Sequence, residues 1–509
     1  MGVVASQSIK GALANYLGVA IGFLTTFFVI TRYLTPEEVG LTRVLVDAAV
    51  LFSSLSQLGS NASIVRFFPY FKDEKTFHHG IFGLSLLIPF VGFLLFVLFF
   101  CLFRDGIAAT YAEKSPLIVD YVFYLLPLTF FSLYMTVFET NASVLLRITV
   151  PKMVREVGIR VFNLICYVLY GFNVVTLDGF VILFCASYMV AMILDMIYLF
   201  SLGKISLRVD WRFVDKGMLG RMLRYTLFMT ANVLASNIPL LASLFLGAQV
   251  GLALTGVYTI AFFIANVVET PYRSLGAISR PLIAHSVRDN NWEDVNGLGK
   301  RVALHQFLVS SLILFFIWIN LNDLFDIIPN GDQYRSGLWV VLILGVSKVV
   351  NSSLSIASDI VNYSHYYPTS LLFILVLTVS ALLLNSTLID LWSISGAACA
   401  TLFSYLMYYS LLNVFIFFKL KVNLFSKGML KTFVMIVFLY VLHLLVEPLV
   451  VLVVGESESF GGVIGRGAMR TFVLGIVAVL ILYKMGISKE VNGIMLHYID
   501  KFRNFVRRK

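Results

Sequence analysis

Charge and reactive side chains are scarce in this chain. Of its 509 residues only 13% are Asp, Glu, Lys or Arg, against about 25% in a soluble domain. The four cysteines, Cys101, Cys166, Cys185 and Cys399, lie in apolar segments with no paired spacing, so neither a disulfide framework nor a thiolate metal site is indicated. The seven histidines are scattered and form no HExxH pair. "NGLGKR" at 296–301 is a fragment of a phosphate loop, because Asp294 stands where the first glycine is required. With no nucleophile, metal ligand set or nucleotide loop in view, the chain is expected to be no enzyme, with no catalytic residue, no metal and no cofactor.

Hydrophobic residues are what the sequence has in excess, at 59%. A helix needs roughly 20 apolar residues to cross about 30 Å of hydrocarbon. Fourteen runs fit, beginning near 11–31, 40–59 and 80–103 and ending near 430–453 and 464–484. The runs are continuous, whereas barrel strands alternate over about ten residues. The expected fold class is an all-α integral membrane protein with about 14 transmembrane helices.

Orientation follows from Lys and Arg in the short loops. With the N-terminus inside, cytoplasmic segments hold 30 of the 38 basic residues, outer segments hold 7, and Lys348 lies within a span. Both termini are therefore expected in the cytoplasm. The net charge of +10 reads as a topology signal reinforced by anionic inner-leaflet lipids, with no nucleic acid as partner. The outer loops reach only about 15 residues, too short to hold the acceptor of a glycan polymerase or ligase. Helix-lined cavities are left as the working surface, which favours transport.

The longest charged connection within the first twelve spans, "GKISLRVDWRFVDKGMLGRMLRY", falls between spans 6 and 7. It divides an N-lobe, 1–202, from a C-lobe, 223–420, through a cytoplasmic linker at 203–222. Spans 13 and 14 occupy 421–486, and 487–509 reads as a basic amphipathic tail on the inner surface. "LTPEEVGLTRVLVDAA" in the first lobe is echoed by "LGAQVGLALTGVYTIA" in the second. This points to a parallel two-lobe transporter with its site near the midplane.

"RYLTPEEVGL", "LGSNASIVRFFP" at 58–69 and "GVYTIAFFIANVVETPYRSLGAISRP" at 256–281 resemble the polysaccharide transporter branch of the multidrug/oligosaccharidyl-lipid/polysaccharide exporter superfamily. The resemblance implies a MATE-like fold of two six-helix lobes plus two extra C-terminal helices. It also implies a Wzx-type flippase of the bacterial plasma membrane, moving a polyprenyl-pyrophosphate-linked oligosaccharide from the inner to the outer leaflet by alternating access. Expected partners are that lipid-linked oligosaccharide, membrane lipids, a glycan polymerase and glycosyltransferases. The competing reading is a cation-coupled multidrug or small-metabolite antiporter of the same superfamily, and behind it a membrane-embedded glycan polymerase.

Charge inside a span costs at least roughly 2.5–3.5 kcal/mol, so such residues face a bundle interior or an aqueous cavity. Thr35 to Glu38 reads as a capping box with Pro36 at N1, so span 2 starts there. Arg43 and Asp47 then lie about 10 and 16 Å along it, on one face, either lining a cavity or neutralising each other. Lys348, Ser352, Ser355 and Asp359 form one face of span 10. Arg43 and Lys348, with Asn232, Ser352 and Ser355, are the expected substrate-binding residues, since a pyrophosphate needs cations at depth. Asp47, Asp195, Asp359, Glu139, Glu269 and Arg273 are the expected ion-coupling or charge-pairing residues. Pro239 in span 7 is either a hinge or a static kink.

Overall fold

The structure is a computed structural model that describes residues 14, 17–73, 75–203, 205–211, 213, 216–455, 459–488, 490, 492 and 493. Among them there is helix and turn but no strand. The helices are α1 (Leu17–Tyr33), α2 (Pro36–Ser56), α3 (Ser60–Phe71), α4 (Ile81–Ala112), α5 (Pro116–Val144), α6 (Ile159–Gly171), α7 (Leu177–Ser201), α8 (Lys216–Ser236) and α9 (Ile238–Gln249). They continue with α10 (Leu252–Asn266), α11 (Thr270–Arg288), α12 (Trp292–Ile319), α13 (Leu321–Ile327), α14 (Leu338–Leu354), α15 (Ile356–Tyr363), α16 (Ser370–Leu420), α17 (Lys427–Val454) and α18 (Phe460–Met485).

Among the described residues ten helical stretches are long and apolar enough to cross a membrane, and the protein is an all-α integral membrane protein. Several places depart from simple one-run, one-helix spans, among them expected span 10, which breaks at Ser355 into α14 and α15. Expected spans 11 and 12 run together as α16, broken only at Trp392 and Ser393, where Ser393 has φ 51°. Expected span 7 is two helices, because α8 stops at Ser236 and α9 restarts with Pro239 in its first turn. Proline there lacks the N–H that a first turn leaves unused, and the helical run is interrupted just before it, at Asn237. Expected span 5 is entered through a π turn at Val154–Gly158. The tail 487–509 lies almost wholly outside the described residues.

Packing groups the chain into two compact units, residues 1–260 with 381–397 and residues 261–380 with 398–509. In the first unit the capping box forms as the sequence predicts. Glu38 N–H donates to Thr35 Oγ1 at 3.3 Å, and Thr35 N–H donates to Glu38 Oε2 at 2.8 Å. The Tyr170 hydroxyl donates to the other Glu38 oxygen at 2.5 Å and so fastens the end of α6 to the start of α2. At the end of this unit that carries the basic connections, Phe67, Phe68, Phe71, Ile81 and Phe82 form an aromatic core. The connection between α7 and α8 packs on that core: Phe213 stacks on His79 at 3.7 Å, and His79 Nδ1 lies 3.2 Å from Asp210.

The starts of α2 and α10 meet in a reciprocal way. Gly40, fifth in α2, has no room for a Cβ against the carbonyl of Leu252, the first residue of α10. Gly256, fifth in α10, has none against the carbonyl of Pro36, the first residue of α2. The equivalence therefore pairs Gly40 with Gly256, whereas the sequence echo aligns Gly40 with Gly251.

In the second unit α12 packs along α14 and α17, and α17 pairs with α18. A buried arginine ties the last two long helices in place. Arg470 of α18, 3% exposed, donates to the Ile319 carbonyl at 2.6 Å and to Asp323 at 2.8 Å, and meets Glu447 of α17 at 2.5 Å. Arg466, one turn earlier, lies 3.9 Å from Asp323. By loop counting Arg466 and Arg470 look like outer-segment charges. They are helical and paired instead, because the apolar run is extended by a turn on which both arginines face acids from neighbouring helices.

Removing one member of a buried ion pair leaves the others uncompensated and costs about 3–5 kcal/mol. Arg470→Met is expected to lower the thermal midpoint of the purified protein sharply, while adding Asp323→Asn and Glu447→Gln recovers most of the loss. A single variant as stable as the parent removes Arg470 as the fastening of these helices.

Candidate functional site

The buried charges of the first unit start with α2. Because α2 begins at Pro36, Arg43 and Asp47 stand one turn apart, and Arg43 Nε lies 2.6 Å from Asp47 Oδ2. Ser243 Oγ of α9 donates to the same oxygen at 2.5 Å, and Asp47 is 4% exposed. The pair thus answers its own charge and bolts α2 to α9. Farther along, Asn61 Nδ2 donates to Gln57 Oε1 at 2.9 Å, closing the corner between α2 and α3.

Asp195 of α7 is the opposite case. It is 1% exposed, and neither carboxyl oxygen has a hydrogen-bond partner among the described residues. Its surroundings are set by α5, where Met135 packs on Ala191 and Phe138 on Leu199, bracketing Glu139 and Asp195 at one level between the two helices. Glu139 is itself paired with Arg155 at 2.6 Å. A polar group left unsatisfied in an interior lowers stability by about 1–3 kcal/mol, so Asp195 is held there against the interest of the fold.

In the second unit Glu269 takes the central place. Lys348 Nζ lies 3.2 Å from Glu269 Oε2, and Asn351 Nδ2 donates to Oε1 at 2.5 Å. The Tyr409 hydroxyl donates to Asn351 Oδ1 at 2.5 Å, and Lys348 sits 4.9 Å from the Phe262 ring centroid. Lys348 is 4% exposed. One turn on, Ser352 Oγ bonds Ser310 Oγ at 2.7 Å, and Ser355 Oγ donates to the Ser352 carbonyl at 3.3 Å. Asp359 accepts from Arg280 Nε at 3.1 Å, and Arg280 also reaches the Tyr272 hydroxyl. Three of the four stripe residues are therefore partnered from other elements, Lys348 by the turn at Glu269, Ser352 by α12 and Asp359 by α11, while Ser355 bonds the backbone one turn before it. The backbones of Asn232 and Arg273 lie in α8 and α11, and their side chains lie outside the described residues.

Two neighbouring cavities open at the basic end of the first unit. One, of about 410 Å³, is lined by Asn61, Val65, Arg66, Thr140, Ser143 and Tyr225. The Arg66 guanidinium lies 4.3 Å from the Tyr225 ring centroid, a cation–π geometry. The other, of about 230 Å³, includes Lys72, His78 and Arg147 in its wall. Sequence reading counts Arg66 as a loop charge only. The signal available for it is α3 itself: Asn61 with Val65 and Ala62 with Arg66 stand at i, i+4 on adjoining stripes of a helix that starts at Ser60, once that helix is separated from α2 by Gly59 with φ 71°.

Residues 8–284 match the family described as "Polysaccharide biosynthesis protein". No curated protein sequence matches the chain. Among solved structures, the lipid II flippase MurJ in an inward closed conformation matches with a TM-score of 0.71 at 11% identity, over 94% of this chain and 100% of that one. A multidrug resistance MATE family transporter of the MOP superfamily, inward-facing, matches with a TM-score of 0.61 at 14% identity, over 79% of this chain and 94% of that one. The Vibrio cholerae MATE transporter VcmN matches with a TM-score of 0.52 at 12% identity, over 81% and 96%. The shared property is the fold.

Two outcomes follow from the buried charges. Asp195→Leu is expected to raise the thermal midpoint, corresponding to about 1–3 kcal/mol, while reducing export; a lower midpoint means the carboxyl has a structural partner. Lys348→Met alone is expected to destabilise by about 3–5 kcal/mol, and Glu269→Gln beside it to restore most of that. Additive losses in the double-mutant cycle remove the pair as a coupled unit.

Proposed function

The chain belongs to the polysaccharide biosynthesis protein family, and on that premise we propose that it is a flippase carrying a polyprenyl-pyrophosphate-linked oligosaccharide from the inner to the outer leaflet of a bacterial plasma membrane. The observation that carries this reading is the cavity at Arg66. Its wall offers an aromatic face at Tyr225, hydroxyls at Thr140 and Ser143, an amide at Asn61 and one guanidinium. Sugars present alternating apolar faces and hydroxyls, which rings and short polar side chains match.

In this reading the basic end faces the cytoplasm, as do both termini, in keeping with the bias of Lys and Arg. Arg43 and Lys348 serve as cations held in reserve by Asp47 and Glu269 and released to substrate phosphate as the helices move. Asn232, Ser352 and Ser355 extend the polar path. A glycan polymerase and glycosyltransferases act before and after the transfer. The second reading, a cation-coupled antiporter, is favoured by Asp195, whose unpartnered carboxyl is the kind of group a proton or sodium ion occupies.

The test is export in a bacterium lacking its own oligosaccharide flippase, scored by surface polysaccharide. The wild-type chain is expected to restore it, and Arg66→Ala at equal protein level to reduce it at least about tenfold, as loss of a charge-assisted contact does. Failure of the wild-type chain across several repeat-unit chemistries, together with ion-driven efflux of small cations, replaces the flippase with the antiporter.

A further inference from the structure

We propose that the smaller cavity at the basic end of the first unit, walled by Lys72, His78 and Arg147, is a binding site for a phosphate or diphosphate group. Four of the helix-embedded cations are occupied by acids: Arg43 by Asp47, Lys348 by Glu269, Arg280 by Asp359 and Arg470 by Asp323 and Glu447. Lys72 and Arg147 differ. Neither has an acidic partner among the described residues, and both line the same space of about 230 Å³. Among the described residues the acid next to Lys72 in the chain, Asp73, is turned into its own loop. Its carboxylate accepts from Lys75 N–H at 3.0 Å and from the Thr76 hydroxyl at 3.0 Å, bonds that hold it below the usual carboxylate range.

His78 closes part of the same wall. It is 1% exposed, and its Nδ1 accepts from the Asp73 N–H at 3.2 Å. The charged groups of the wall are therefore Lys72 and Arg147, and two cations match the acceptor oxygens and charge of a phosphate.

The backbone that presents these groups is held in unfavourable conformations at both ends of the site. Phe77, His78 and His79 all have positive φ, at 49°, 57° and 49°. Across the cavity α5 ends with Leu146 at φ 59°, in the place where glycine is usual. Leu146 N–H bonds the Ser143 carbonyl and Arg147 N–H bonds the Ala142 carbonyl, each at 2.9 Å, so this helix end fixes where Arg147 leaves the bundle. Non-glycine residues keep such conformations only when the surroundings require them, and they gather at ligand sites.

The phosphate can belong to the pyrophosphate of the lipid-linked substrate, to a membrane phospholipid or to free phosphate. The first source rests on the flippase reading and makes the cavity a landing place before the sugar reaches Arg66. The others do not depend on it.

The experiment uses the full chain in phosphatidylcholine nanodiscs, titrated with inorganic pyrophosphate, and a parallel set in discs doped with phosphatidic acid. Pyrophosphate is expected to bind the wild type, and Lys72→Gln with Arg147→Gln to weaken it at least about tenfold, with the ligand-free thermal midpoint unchanged. Lys72→Arg, which keeps the charge, is expected to hold affinity within about threefold. Binding of phosphatidic acid but not pyrophosphate, lost in the double variant, assigns the site to a lipid headgroup. Equal retention of both ligands by wild type and double variant overturns the site, as does equal loss in Lys72→Arg and Lys72→Gln. Normal polysaccharide export by a double variant that no longer binds removes the site from transport and leaves the flippase reading standing. Cation-dependent binding in a wild-type chain that fails to export does the reverse.

Discussion

A charge taken out of water has to be met by an opposite charge or by hydrogen bonds, and this chain places its membrane helices largely through the way it meets that requirement. Asp47 holds Arg43 on its own helix and Ser243 on the next. Glu269 gathers Lys348 and Asn351, and Asn351 in turn receives Tyr409. Arg470 collects two carboxylates and a carbonyl from three other elements. In lipid there is no hydrophobic force between helices to choose one packing over another. Polar partners supply the choice, each fixing a rotation and a depth that apolar side chains alone leave open.

Seen this way, Asp195 is informative because it breaks the pattern. Every other buried acid considered has a partner within hydrogen-bond reach, whereas Asp195 has none among the described residues. The cations divide along the same line. Arg43, Lys348, Arg280 and Arg470 are answered by carboxylates, whereas Arg66, Lys72 and Arg147 have no acidic partner among the described residues and line cavities.

What was legible in the sequence is what is local. Thr35 to Glu38 specify the start of α2 with four residues, and that start places Arg43 and Asp47 on one face. Hydrophobic runs announce the all-α class, and the run of Lys348, Ser352, Ser355 and Asp359 announces a polar face. What fills that face was not legible, because the partners come from far along the chain: Glu269 meets Lys348 across 79 residues, and Arg280 meets Asp359 across the same interval. Apolar periodicity carries no register between helices. Arg66, Arg466 and Arg470 were hidden for a related reason. A basic residue at the edge of an apolar run reads as a loop charge, although one more helical turn carries it indoors. Asn232 and Arg273 keep the standing the sequence gives them.

The paired glycines of α2 and α10 set how near two helix starts can come. Each helix rests its fifth residue on the first carbonyl of the other, so the two backbones touch at two separate points. A methyl group at either place would meet a carbonyl oxygen, so the absence of two side chains fixes the closeness and the register of this crossing together.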